Sequence, residues 1–244
     1  MSDELVTVAI PTYNIPDFTK ACVASMRRWF GGEIMLFNGA SDSGVLDIDN
    51  ITIYNALGAN SLEAINMIPE RIRTKYVLLC DNDTKMTRNC IPEMVKLLED
   101  HEDVGMTGAY ACKVIDWKKH RLAFSTIFSS HMEVDAFICW FVLIRTEAWR
   151  KVAPWQIESL YPDVPHYLLN KGSAVDMRFT HTIKEAGWRL VSPARDLGVL
   201  HWLHGSGRVY DDAFGKWWAA NTDHRRVDPL NAWDTIDWSR PCIK

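Results

Sequence analysis

Val77 to Cys80 is a run of four apolar residues, introduced by Tyr76 and cut off by Asp81-Asn82-Asp83. The run is too short for a free-standing helix and predicts a β-strand that is apolar on both faces. Such a strand must be covered from two sides, which restricts the chain to a sheet with helices above and below it. The two acids that end it, one residue apart, stand where open α/β sheets bind their ligands, outside the carboxyl ends of the strands. Two carboxylates there repel each other and resist desolvation unless a cation neutralises them. Hard oxygen donors suit Mg²⁺ or Mn²⁺, and Mg²⁺ sites typically combine one or two carboxylates with substrate phosphates. Asp-Asn-Asp is also ordinary turn chemistry. The segment alone leaves both readings open.

The flanking chain supplies the layers. Leu5 to Ile10 predicts a strand, broken by Pro11-Thr12-Tyr13-Asn14. Pro16 opens a helix whose Phe18, Cys22, Met26 and Trp29/Phe30 recur at helical spacing up to Gly31-Gly32. A strand over Glu33 to Phe37 runs into the loop Asn38 to Gly44, and another over Ile51 to Tyr54 runs into Asn55-Ala56-Leu57-Gly58. Asn60 with Glu63 resembles a capping box for a helix over Leu62 to Ile68. Beyond Asp83 the pattern predicts a helix over Ile91 to Glu99, a short strand at Val104 to Thr107 and a polar excursion over Asp116 to Arg121. A long strand over Val134 to Ile144 follows, then a helix Glu147 to Val152 capped by Thr146. Ala153 to Lys171, rich in Pro and Tyr, reads as a lid or active-site loop. A helix Val175 to Ala186 ends at Gly187, and short strands at Leu190-Val191 and Gly198 to Leu200 lead into His201. This alternation predicts βαβ units and a mostly parallel sheet flanked by helices.

Bulk properties narrow the function classes. The 244 residues are 48% hydrophobic and 24% charged, ordinary for one globular domain with a full core. A net charge of -4 argues against gripping nucleic acid over the whole surface, though a local basic groove remains open. The longest apolar run, Ala136 to Ile144, is far short of the ~20 residues of a membrane helix. Met-Ser-Asp-Glu does not resemble a signal peptide, and the six cysteines show no paired metal spacing. Reduced, mostly buried thiols and a cytoplasmic location are expected.

Together these segments resemble the nucleotide-sugar-dependent glycosyltransferases of the GT-A fold, family-2-type members most closely. VTVAIPTYN, Val6 to Asn14, is similar to the family's first strand and nucleotide-binding turn, and Asn38-Gly39-Ala40-Ser41-Asp42 to its second-strand loop Asp-Asn-Gly-Ser-x-Asp. Asp81-Asn82-Asp83 sits where the family carries its Asp-x-Asp metal motif. Val134-Asp135 through Ala148 resembles the acceptor-side strand and helix, and Asp176-Met177 to Arg189 the helix after a Glu-Asp-x-Asp motif. Val199-Leu200-His201 with Gly205-Ser206 resembles the terminal strand and its histidine. The resemblance covers roughly Val6 to Ser206. It implies a GT-A (Rossmann-like) single domain over 1–244: a nucleotide-binding half about 1–103, an acceptor-side half about 104–206 and a Trp-rich tail 207–244. Two positions depart from the pattern. Phe37 stands where members usually carry a base-contacting acid, and Ser173 and Ala174 replace the Glu-Asp pair before Asp176.

The resemblance implies these roles. Asp83 would bind Mn²⁺ or Mg²⁺ directly, with Asp81 nearer the ribose or the metal's waters. His201 would be a third ligand, with His204 as its competitor. Pro11, Thr12, Tyr13, Asn14, Asn38, Asp42, Gly58, Asp81 and Asn82 would hold the nucleotide sugar, and Asp135 and Trp140 would lie on the acceptor side. Asp176 would be the catalytic base of an inverting enzyme. A base from Asp135, Asp163 or His166, or a retaining reaction without one, stays open. Plain readings stand beside each role: a hydrogen-bonded histidine, a proline turn, an acid favoured by a helix dipole, a core tryptophan.

The expected function is metal-dependent transfer of a hexose or pentose from a nucleotide-sugar donor to a hydroxyl acceptor, whether glycan, small molecule or protein. A second acceptor class is a hydroxymethylated base in DNA, reached through Arg71/Arg73/Lys75, Lys118 to Arg121 and His224-Arg225-Arg226. Two other classes share the architecture. Nucleotidyltransfer wants a Gly-rich basic loop after the first strand, which Pro11 to Asn14 is not. A non-catalytic sugar- or nucleotide-binding module fits the missing acids at 173 and 174.

Overall fold

The computed structural model describes residues 2–12, 16–39, 48–55, 61–109, 111–116, 121–125, 132–137, 139–154, 173–193 and 197–201. A short helix α1 (Ser2–Leu5) leads into β1 (Val6–Thr12), helix α2 (Pro16–Arg27), β2 (Glu33–Asn38) and β3 (Thr52–Asn55). Helices α3 (Ser61–Asn66) and α4 (Ile68–Arg71) precede β4 (Tyr76–Cys80), β5 (Thr84–Met86), α5 (Ile91–Asp100) and β6 (Val104–Gly108). Then come β7 (Ala111–Asp116), β8 (Arg121–Ser125), β9 (Met132–Glu133), β10 (Ala136–Phe137), β11 (Phe141–Arg145) and α6 (Thr146–Val152). The described chain ends with α7 (Ser173–Glu185), β12 (Arg189–Ser192) and β13 (Val199–His201).

Among the described residues the main sheet has eight strands in the order β3-β2-β1-β4-β11-β6-β12-β9. β1 to β4 run parallel, β11 runs antiparallel to both β4 and β6, and β12 is parallel to β6. The expected mixed, mostly parallel sheet flanked by helices is therefore present. Alternation along the strands divides the core. Val6, Val8 and Ile10, Tyr76, Leu78 and Cys80, and Phe141 and Leu143 pack with α2 and α5. Ala9, Val77, Leu79, Val142 and Ile144 pack with Ile68, Ala148, Trp149, Phe179 and Ile183 on the other face. This two-sided burial is why β4 reads as a continuous apolar run.

Four expectations need correction. The long strand over Val134 to Ile144 is broken into two that serve different sheets: β10 pairs with β7, and β11 returns to the centre of the main sheet. Both pieces are buried, so their shared apolar character concealed the break. Pro11 does not end β1, which continues to Thr12 in register with Asn38. The ladder to β4 has already stopped at Ala9 and Leu79, so a missing N–H costs little there. Thr146 is not a cap; Arg145 holds that position with no side-chain cap bond, and the Thr146 hydroxyl donates to the Thr74 carbonyl at 2.9 Å. The helix expected over Leu62 to Ile68 is divided at Met67 into α3 and α4. Asn60, residues 155–171 of the expected lid and the tail lie outside the described residues.

At the edge remote from the acids, Arg145 ties the core together. Its guanidinium is buried and donates to the carbonyls of Leu98 (2.7 Å), Val104 (3.2 Å) and His101 (3.4 Å). These lie at and just beyond the C-terminal end of α5, where helix carbonyls lack partners of their own. Beside it the Tyr76 hydroxyl donates to Glu99 at 2.8 Å, and Lys75 bonds the same carboxylate.

Candidate functional site

Parallel β1 to β4 bring their carboxyl ends, Thr12, Asn38, Asn55 and Cys80-Asp81, to one edge of the sheet. The amino end of antiparallel β11 joins them there, so Trp140 lies next to Asp81 despite the sequence distance between them. The Asp81 N–H donates to the Trp140 carbonyl at 2.9 Å, and the Thr84 hydroxyl reaches the same oxygen at 3.4 Å. Trp140 itself is packed into the core.

Asn82 explains how the acidic turn holds its shape. Its side chain is only 8% exposed, and its Nδ2 donates to Thr12 Oγ1 (2.9 Å) and Thr19 Oγ1 (3.0 Å). The two threonine hydroxyls share a further bond of 2.7 Å. One amide thus joins the turn to the end of β1 and to α2, with its donors directed into the fold. Cys22 and Cys80 lie below, both sulfurs donating to the Asp81 carbonyl at 3.6 and 3.3 Å. Burial pushes the Cys80 thiol well above its ordinary range, reinforced by Cys22 at 3.9 Å.

Asp83 is 4% exposed and Asp81 is half-buried. Among the described residues no group of three potential ligand side chains forms a closed metal cage. Two carboxylates on one clamped turn are instead the donor set that suits a hard divalent ion completed by phosphate oxygens. The residue after Asp83 opens β5, and β5 pairs antiparallel with β13, setting His201 opposite Thr84. The short β5 was not legible in the sequence, yet it brings the chain's distant histidine to within one register position of Asp83.

At the ends of β2 and β3, Asn38 is buried and its Nδ2 donates to Asn55 Oδ1 at 3.1 Å, across their last register pair. Phe37 is fully buried and stacked on Tyr54 with ring centroids 5.3 Å apart. The Gly39 N–H bonds the Thr12 carbonyl at 3.0 Å, closing β1 onto the second-strand loop. Pro11 is half-buried beside them. Asp135 lies between β9 and β10 and faces Lys184 of α7 at 3.3 Å. Asp176 stands in the first turn of α7. Tyr13, Asn14, Asp42, Gly58, Asp163, His166 and His204 lie outside the described residues. Thr19, Asn55 and Thr84 were not singled out in the sequence. Thr19 lies on a helix face that reads as core, and the other two acquire meaning only through strand register.

The comparisons with known proteins agree with this architecture. The family model described as Glycosyl transferase family 2 matches residues 7–152, more than half of the chain. Among solved structures, a mannosyltransferase from Pyrobaculum calidifontis, in complex with GDP-Man and Mn²⁺, superposes with a TM-score of 0.59 at 16% identity, over 87% of this chain and 59% of its own. TarS 1-349 from S. aureus superposes with a TM-score of 0.58 at 14% identity, over 90% of this chain and 66% of its own. This chain therefore spans about three fifths to two thirds of the length of those structures. No curated protein sequence gives a significant match. No helix among the described residues is long and apolar enough to cross a membrane. With the fold, the family model and the edge geometry in agreement, the chain belongs to glycosyl transferase family 2.

Proposed function

We propose that the protein transfers a sugar from a nucleoside-diphosphate sugar to a hydroxyl acceptor, with Mn²⁺ or Mg²⁺ held by Asp83, assisted by Asp81 and completed by His201. The observation that carries this reading is the Asp81-Asn82-Asp83 turn, clamped at the carboxyl edge of the sheet and joined through β5 to the strand that ends in His201. A divalent ion held there supplies Lewis-acid stabilisation to the diphosphate as negative charge builds on it. The chain's own part is positional. Asn82 holds the two acids at a fixed separation, Thr12 and Asn38 bound the nucleotide side, and the buried surroundings of Asp83 strengthen its attraction for a cation. The Mn²⁺ and GDP-Man of the Pyrobaculum structure are in keeping with such a site.

Asp176 is the proposed base, the one acid retained at the family's acceptor motif. Its place in the first turn of α7, a position where a helix favours negative charge, suits a carboxylate that is ionised before it accepts the acceptor proton. Asp135 is less suited, because Lys184 engages its carboxylate at 3.3 Å and competes for the oxygen that would take the acceptor proton.

The test is a thermal-shift screen of UDP-, GDP-, dTDP- and CMP-sugars with Mn²⁺, followed by nucleotide release from any donor that binds. A donor at about 100 times its Kd stabilises the folded state by about 2.7 kcal/mol. For a chain of this size that raises Tm by about 5–10 °C. The shift and the turnover should vanish with EDTA and in Asp83→Ala. Donor binding without any metal-dependent turnover would favour a non-catalytic sugar-nucleotide module instead.

A further inference from the structure

The β5–β13 ribbon is too small to stand unaided. It comprises three residue pairs, Val199 with Met86, Leu200 with Lys85 and His201 with Thr84, and isolated two-stranded ribbons are marginal in water. β5 is anchored independently: Met86 is buried in the core and its N–H donates to the Ser25 hydroxyl oxygen at 3.1 Å. Val199 of β13 packs against that core. Leu197 is buried in the same core, and Gly198 follows at φ 64°, a left-handed conformation that disfavours any side chain. The Gly198 carbonyl accepts two bonds from Thr87, one from its N–H at 2.8 Å and one from its hydroxyl at 2.7 Å. A Cβ at 198 would meet Arg88 Cγ at 2.7 Å and Thr87 Oγ1 at 2.9 Å.

We infer that Gly198 and Thr87 are positioning residues for the metal site: their clamp starts β13 in the one register that delivers His201 beside Asp83. The inference rests on the metal reading above and deepens it. A strand slipped by one residue presents the opposite face at every position, so an error at the first pair is carried undiminished to the third. Gly198 supplies the backbone turn and the close approach, and Thr87 occupies both lone pairs of its carbonyl. Neither residue needs to touch the ion.

The experiment measures Mn²⁺ affinity of the full chain by electron paramagnetic resonance of free Mn²⁺, with GDP and separately UDP present. It compares wild type with Gly198→Val, Thr87→Val, His201→Ala and Asp83→Ala, and monitors Tm throughout. Removing the clamp should weaken Mn²⁺ binding about ten-fold in Gly198→Val, the scale of losing a supporting partner. Thr87→Val keeps the N–H bond and loses only the hydroxyl, so about five-fold is expected. In a His201→Ala background Thr87→Val should cause no further loss, which a merely structural role would not produce. Should Thr87→Val leave Mn²⁺ affinity unchanged, or weaken it equally without His201, the clamp has no positioning role. In that case weakened binding by Asp83→Ala leaves the proposed function standing. If Asp83→Ala also binds Mn²⁺ as wild type does, the metal reading fails and the clamp inference with it.

Discussion

Replacing Asn82 by Ala isolates the clamp that shapes the acidic turn. The substitution removes two buried donors, to Thr12 Oγ1 at 2.9 Å and Thr19 Oγ1 at 3.0 Å, and leaves the 2.7 Å bond between the threonines intact. At about 0.5–1.5 kcal/mol for each bond the expected loss is roughly 1–3 kcal/mol. The surviving hydroxyl pair keeps the value toward the lower end, because neither threonine is stranded. For a chain of this size 1–3 kcal/mol lowers Tm by about 2–12 °C. Urea unfolding should show a reduced midpoint with an unchanged slope, marking a loss of stability rather than a change in the denatured state. A cycle with Thr19→Val makes the test specific. Thr19 lies on α2, so a coupling of about 1 kcal/mol between the two substitutions requires the contact itself. The loosened turn should also weaken Mn²⁺ binding in the presence of nucleotide. An Asn82→Ala protein with wild-type stability and wild-type metal affinity would refute the claim that this amide sets the turn.

Arg145→Met should destabilise the fold by about 3 kcal/mol or more, since it removes buried guanidinium bonds to three backbone carbonyls, while turnover per folded molecule at the opposite sheet edge stays unchanged; urea titration alongside donor turnover checks both. Gly187→Ala and Gly105→Ala should separate backbone strain from crowding. At 187 φ is 92° with open space around the new Cβ, so about 1–2 kcal/mol is lost. At 105 the Cβ would meet Trp188 Cβ at 2.7 Å, and the larger loss should appear as the lower melting temperature of the two. Bonds from Lys75 and Tyr76 hold the Glu99 carboxyl below its usual range. A lowered acid pKa contributes stability above the unfolded value, near pH 4, and loses it as pH falls through the folded one; the exposed setting keeps this small. Glu99→Gln should flatten stability against pH below about 4, as read from urea midpoints.

Much of the architecture around β1 to β4 was legible in the chain because it is local. The apolar run of β4 and the periodic Phe18, Cys22, Met26 and Phe30 each report burial through composition and spacing. Gly187 announced the end of α7, and the backbone bears it out: its N–H bonds the Lys184 carbonyl at 2.9 Å while φ stands at 92°. The break within Val134 to Ile144 was not legible, since β10 and β11 are both buried and only strand pairing tells them apart.

The site divides along the same line. The sequence alone determined that two acids would follow a doubly buried strand, because hydrophobic pattern and turn chemistry are properties of neighbouring residues. Tertiary structure decided that Asn82 turns its amide inward to Thr12 and Thr19, that Phe37 is sealed against Tyr54, and that His201 arrives opposite Thr84. Those outcomes depend on strand order and register between segments far apart in the chain. Three-residue strands such as β5 and β13 carry too little pattern to declare a partner; they are selected by the core already formed around Met86 and Leu197.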